Sequence, residues 1–160
     1  MKQHHHFVSL AGLFTVATVC AFLAGCASSV DKFKHNLDVQ GLRPMTGSEI
    51  KVAFAGNTML GGNQKHMYSR YYAVDGTAKG RDWGSLGEES AVGVWRINND
   101  DLLCSKFEGD WSGNGERCSL VYHVTGSDYT HIIVTGTKPK DNPNGIYVYQ
   151  IVLGDQSAMK

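Results

Sequence analysis

Histidines, cysteines, serines and carboxylates are the side chains that could do chemistry in this chain, and each kind needs its members brought to one place. His123 and His131 lie on two successive strand-like segments, and a metal ion would need both rings on one face. A two-residue turn at Gly126-Ser127 sets His123 opposite Thr130 and His131 opposite Tyr122, so the alternation of side chains places the imidazoles on opposite faces. Only a bulge would reunite them, and no metal site is expected. Glu88-Glu89 and Asp100-Asp101 are paired carboxylates of the kind used as acid and base, but neighbours on a strand diverge and turn carboxylates are solvated. Gly84-Ser85-Leu86-Gly87 lacks the spacing of a nucleophile elbow. Gly61-Gly62 and the stretch from Gly76 to Gly80 lack the lysine and the strand-to-helix context of a phosphate loop. No enzyme class and no cofactor is therefore expected, a hydrolase being the weakest of the readings.

Cysteine gives a clearer signal. Lys2 supplies a positive start, residues 7–23 are apolar without a charge, and the run ends in Leu23-Ala24-Gly25-Cys26. Such a run reads as an export signal. Its end resembles the lipobox of bacterial lipoproteins, in which a branched apolar residue and two small ones fit a protease groove and the cysteine sulfur takes a diacylglyceryl group. The resemblance implies a signal peptide over residues 1–25 and lipidation of Cys26. At about 0.8 kcal/mol per buried methylene, an anchor of about three acyl chains is effectively permanent where one chain is marginal. An uncleaved membrane helix is the alternative, since the run is almost long enough to span a bilayer, but a spanning helix has no need of small residues and cysteine at its outer end. Ala27, rather than an aspartate, follows Cys26. In lipoprotein sorting of the enteric type this implies the outer membrane, with the domain facing the periplasm or the cell surface.

Export also decides the remaining thiols. Cys20 is discarded with the apolar run and Cys26 is consumed by lipid, which leaves Cys104 and Cys118 in an oxidising compartment where a pair tends to join. The bridge would close a loop of about fifteen residues, worth roughly 3 kcal/mol on the chain-entropy model. Two cysteines without a CxxC or a nearby histidine cannot close a tetrahedral zinc site.

The elements that must position these groups are mostly strands. Glycine is abundant at 19 of 160 residues and proline scarce at 3, a mixture typical of short strands joined by glycine turns. About 135 residues would remain after export, enough for one domain with one core. Lys and Arg total 15 and Asp and Glu total 15, so no overall basic excess draws the chain to nucleic acid. Residues 26–45 read as a polar tether, part of which can pack on the domain. Thr46-Gly47-Ser48-Glu49 is a capping box, Ile50, Ala53 and Phe54 follow at helical spacing, and Gly56 stands at the stop, predicting one short helix over residues 47–55. Residues 46–160 then form a single β-rich domain of seven or eight antiparallel strands. These run over 68–74, turning at Asp75-Gly76 into 77–81, then 92–97, 102–107, 117–124, 129–135 and 146–153.

Directly opposed residues share a face of a sheet. A turn at residues 98–101 places Ile97 opposite Leu102 and Trp95 opposite Cys104; the disulfide then sets Leu102 opposite Leu120, and the next turn sets Leu120 opposite Ile133. One face would collect Trp95, Ile97, Leu102, Leu120, Ile133 and the bridge as a core, leaving Val94, Phe107, Val121, Ile132 and Val134 on the other. Aromatic residues offer the one hint of binding. Tyr71 and Trp95 could line an apolar pocket. Trp111, in a glycine-rich turn inside the disulfide loop, could be a contact anchor. Core packing is the plainer account of such aromatics.

Phe54-Ala55-Gly56-Asn57-Thr58, the strand with Tyr71-Tyr72 running into Asp75-Gly76-Thr77, Gly93-Val94-Trp95 and the two cysteines are similar to a family of small exported proteobacterial proteins called domain of unknown function 995. The resemblance spans roughly residues 46–131 and implies a small calycin-like barrel or curved sheet; it implies no reaction. The functional expectation is an outer-membrane-anchored, non-enzymatic binding module for an apolar small molecule or an envelope protein. The alternative is an accessory structural lipoprotein for envelope assembly or integrity.

Overall fold

A computed structural model describes residues 28–63, 66–84, 87–109, 115–138 and 142–157. Two helices, α1 (Ser29–Val39) and α2 (Gly47–Phe54), precede eight strands: β1 (Asn57–Asn63), β2 (His66–Tyr72), β3 (Thr77–Gly84), β4 (Gly87–Ile97), β5 (Leu103–Phe107), β6 (Arg117–Thr125), β7 (Asp128–Thr135) and β8 (Ile146–Leu153). Each strand pairs antiparallel with the next, and β1 pairs with β8 to close the barrel. Closure leaves no free edge. Signal, lipidation at Cys26 and the Trp111 contact all fall outside the described residues.

Helix α2 forms as the capping box requires: the Thr46 hydroxyl accepts the Glu49 N–H and the Glu49 carboxylate accepts the Thr46 N–H. Its apolar stripe goes into the end of the barrel, where Ile50 and Phe54 are 0% exposed. The Phe54 ring lies edge-on to Tyr72, Tyr129 and Tyr149 with centroids 5.4, 6.0 and 6.1 Å away. At the other terminus of α2, Asp101 accepts the Gly47 N–H at 2.8 Å. A Cβ on Gly47 would meet that carboxylate and Ile97, each at 2.8 Å, so the helix start needs glycine. The turns that join β2 to β3, β4 to β5 and β6 to β7 lie at this plugged end. Strands β1, β3, β5 and β7 end at the opposite rim.

A second helix stands where the sequence suggested a tether. Ser28 and Asp31 make a capping box of their own, and Leu37, with Val30 and Phe33, packs on Tyr122, Ile132, Leu120 and Ile146 of the outer wall. The Ser29 hydroxyl donates to Asn144, so α1 begins at the rim opposite α2 and runs along the barrel towards it. Strand β1 was likewise not marked in the sequence. Gly61 and Gly62 make it a poor strand former, but a Cβ on Gly61 would strike the Tyr68 ring, so the glycine makes room for a core aromatic.

The β4–β5 register is one residue away from that expected. Asn98 accepts the N–H groups of Asp100 and Leu102 on its side chain, Asp101 takes φ 58°, and the turn extends through Leu102. Ile97 therefore pairs with Leu103, Trp95 with Ser105 and Arg96 with Cys104. A shift of one residue reverses every face. Trp95, Leu103, Phe107 and Val121 join the interior cluster with Met59, Tyr68, Tyr72 and Tyr149, while Leu102, Cys104, Cys118 and Leu120 form a separate cluster. The single core face drawn from the sequence is thus divided between two sides of the wall. Cys104 and Cys118 are cross-strand partners and are joined in a disulfide.

Candidate functional site

Between the plug and the opposite rim, the interior changes character. Arg70 sits on β2 between the inward-facing Tyr68 and Tyr72, and its guanidinium stacks over the rings of Tyr68 and Phe107 at 5.1 and 5.7 Å. With Ser105, Arg117, Ser119, His131 and Tyr147 it lines a cavity of about 20 Å³, whose apolar walls are Leu103 and Ile133. None of these lining residues is a carboxylate. A cavity of this size holds one or two waters or a single small group.

A bulge in β6 brings His131 here. Thr125 pairs with Asp128 across the turn, but the register slips between His123 and Thr125, so His123 pairs with Tyr129, Tyr122 with Thr130 and Val121 with His131. The two histidines consequently face the same side, contrary to the register expected from the turn alone. They do not form a metal site: His123 is exposed, stacks on Tyr129 and bonds the Gly126 carbonyl oxygen, whereas His131 is buried against Tyr147 and Tyr149. Among the described residues, the one cluster with metal-ligand geometry is Cys104, Glu116 and Cys118, whose sulfurs are already bonded to each other.

The electrostatics of the interior follow from burial. His131 is lowered from 6.5 to about 3, first by loss of solvent and then by the charges of Arg70 and Arg117. Burial pushes the Tyr68 hydroxyl up to about 12 and raises those of Tyr72 and Tyr149. At neutral pH these phenols keep their protons and the imidazole is neutral. Nδ1 of His131 and the hydroxyl of Tyr149 are buried without a hydrogen-bond partner among the described residues. Polar atoms in that condition are uncommon in folded proteins and mark places where something else satisfies them.

The neutral ring makes stability depend on pH in a definite direction. Its folded pKa of about 3 lies below the ordinary 6.5, so between those values the unfolded chain binds the extra proton. Stability then falls as pH drops below about 6.5, by up to about 1.4 kcal/mol per pH unit for one proton. Urea midpoints from about pH 7 to pH 4 should show this slope, and His131→Gln should flatten it. An equal slope in both proteins would mean that the ring is not held neutral.

The aromatic residues singled out in the sequence do not meet in one pocket. Trp95 is buried in the interior, its Nε1–H donating to the Ala73 carbonyl at 2.7 Å and its ring edge-on to Tyr72. Tyr71 points the other way, on the outer wall, where the Lys79 ammonium lies 5.7 Å from its ring. Beside it runs an open groove of about 520 Å³ lined by Lys79, Arg81, Ser90, Val92, Glu108 and Ser157 among others. Sequence reasoning passed over Arg70, Arg117 and the role of His131. The signal for Arg70 was present, since Arg70 shares one parity of the strand with Tyr68 and Tyr72, both of which are buried. No family model and no curated protein matches the chain.

Proposed function

We propose that this chain is an outer-membrane lipoprotein, anchored through Cys26, whose barrel is a non-enzymatic binding module of the envelope. The observation that carries the binding reading is the polar interior. A barrel serving only as scaffold would fill its lumen with apolar side chains, because burying polar groups costs free energy unless they are satisfied. This one surrounds a cavity with two guanidiniums, an imidazole and hydroxyls. An apolar small molecule has little place in that cavity, since sites for such ligands commonly measure about 300–1,000 Å³. The outer groove, at about 520 Å³ and with Val92 exposed, is the surface better suited to an apolar ligand or a protein segment. An accessory structural role is the second reading, favoured by the aromatic filling of the rest of the interior.

The anchor supports the same picture. Only Ala27 and Ser28 separate Cys26 from α1, so at roughly 3.5 Å per residue a lipid on Cys26 would be within about 10 Å of the helix start. Because Ser29 bonds Asn144, the rim opposite α2 then faces the bilayer.

A photo-crosslinking residue at Val92 in intact cells, with Cys26→Ser as the control, tests the proposal. Cys26→Ser should leave uncleaved precursor, abolish acyl labelling and remove the discrete crosslinked species formed by the wild type. A Cys26→Ser protein that is processed and labelled like the wild type would reject the anchor. Absence of any discrete crosslink from the anchored protein would reject the groove as a partner surface.

A further inference from the structure

We infer that Cys104, Cys118 and Glu116, when the disulfide is reduced, bind a single zinc-like divalent cation on the outer wall of the barrel. These residues line neither the interior cavity nor the outer groove, so the site is independent of the binding module proposed above.

Strand register brings the ligands together. Arg96, Cys104 and Cys118 are successive cross-strand partners on β4, β5 and β6, and directly opposed side chains leave a sheet on one face. Glu116 stands two positions before Cys118 and returns to that face. The two sulfurs and a Glu116 carboxylate oxygen all lie within 4.8 Å of one another, with Oε2 of Glu116 at 3.8 Å from Sγ of Cys118. A disulfide sulfur has no proton to donate, so the oxidised pair gives this carboxylate no hydrogen bond. Arg96 holds it in place, donating to its two oxygens at 2.9 and 2.6 Å.

The spacing suits a tetrahedral ion. Cβ atoms across a disulfide lie about 3.8 Å apart, and parallel Cβ–Sγ bonds would set the reduced sulfurs at the same separation. With metal–sulfur bonds of about 2.3 Å, the edge between two sulfurs of a tetrahedral site is also about 3.8 Å, and that between sulfur and carboxylate oxygen about 3.6 Å. Glu116 is thus the third ligand that a count of cysteines and histidines leaves out. It is exposed, so water can take the fourth position from its side, while Leu102 and Leu120 pack with the cysteines. Charges balance as well: two thiolates and one carboxylate offset the divalent ion and the Arg96 guanidinium together. A set that mixes thiolates with a carboxylate suits zinc better than copper(I), which is drawn to sulfur.

Opening the site takes a dithiol reductant. Its first thiolate attacks one cysteine sulfur, breaking the Sγ–Sγ bond and freeing the other cysteine; its second then displaces the first cysteine and closes the reductant's own disulfide. Two electrons pass to the cysteine sulfurs, and the two protons of the dithiol end on them. Metal binding sends both protons to water, because only thiolates ligate. Disulfide and metal are alternative states of one site.

The full chain in detergent micelles, reduced with dithiothreitol and desalted under nitrogen, is titrated with cobalt(II) at neutral pH. A thiolate-to-cobalt charge-transfer band and the visible bands of a four-coordinate ion should saturate at a single ion per chain and vanish when zinc is added. The unreduced chain should show neither. Glu116→Gln, a change at an exposed side chain that leaves the fold in place, should weaken apparent cobalt affinity at least tenfold. Cys104→Ser with Cys118→Ser should abolish the bands. Equal affinity in Glu116→Gln, or equal bands in the unreduced chain or in the double serine variant, overturns the inference. Should reduction alone unfold the chain, cobalt should restore the native far-ultraviolet spectrum, since a ligand bound only by the folded state draws the equilibrium towards it. A chain that takes up cobalt and stays unfolded overturns the inference too.

Discussion

Phe54→Ala is expected to destabilise the folded chain by about 3 to 5 kcal/mol, the usual range for removing a fully buried phenylalanine. The ring is 0% exposed and closes one end of the barrel. It has tyrosine neighbours on β2, β7 and β8, so its ring bridges strands from different parts of the wall. Because α2 is tied to the barrel at its start by Asp101 and just past its end by the Gly56 N–H donating to the Tyr72 carbonyl, it cannot easily sink to refill the space. The loss should therefore stay near the full transfer and cavity cost. Against a typical domain stability of about 5 to 15 kcal/mol this is large, and the denaturant midpoint should drop accordingly. Phe54→Leu, which keeps much of the volume, should recover most of it. A loss under about 1 kcal/mol for Phe54→Ala would show that α2 does not plug the barrel.

The second large effect is that of the disulfide. Cys104 and Cys118 are joined across neighbouring strands with 14 residues of sequence separation. A closed loop of that size restricts the unfolded chain by about 3 kcal/mol on the entropy model. The double change Cys104→Ala with Cys118→Ala should lower stability by about that amount, since Leu102 and Leu120 beside the bridge still cover the smaller side chains. Acyl labelling and membrane fractionation should be unaffected, the anchor proposed at Cys26 being chemically separate. In unreduced protein no thiol should titrate, and reduction should release two. Two reactive thiols before reduction would refute the pairing.

Much of this architecture could be read beforehand, and the failures have local causes. The capping box at Thr46, the Asp75-Gly76 turn and the alternation in residues 146–153 are short-range patterns, and α2, the β2–β3 hairpin and β8 stand where they were expected. Registers were harder. One αL residue at Asp101 and one bulge between His123 and Thr125 each displaced a pairing by a single residue. Each displacement exchanged inside for outside. Trp95 is inside as expected, but Leu102, Cys104 and Leu120 left its face while Phe107 and Val121 joined it, and His131 arrived on the face of Val121. Helix α1 was missed although Ser28 and Asp31 have capping-box spacing, because its apolar positions are few and its partners, Tyr122 and Ile132, lie about ninety residues further along the chain. The candidate site was least legible of all. Arg70, Arg117 and His131 come from three strands, and only barrel closure brings them to one cavity.

The docking of α1 also changes how far the barrel can search. A flexible tether of about twenty residues would let the domain explore an r.m.s. distance of roughly 25 Å from its anchor. If Cys26 is the anchor proposed above, α1 fastened to the wall reduces the leash to Ala27 and Ser28. A domain so anchored would sample a thin layer next to the membrane instead of the depth of the compartment. Molecules embedded in or lying on that membrane would then meet the barrel at an effective concentration in the millimolar range, whereas soluble ones would meet it only at their bulk level. Weak intrinsic affinity then suffices for a membrane-borne partner, and inserting a flexible segment after Ala27 should weaken such an encounter without altering a single contact in the barrel.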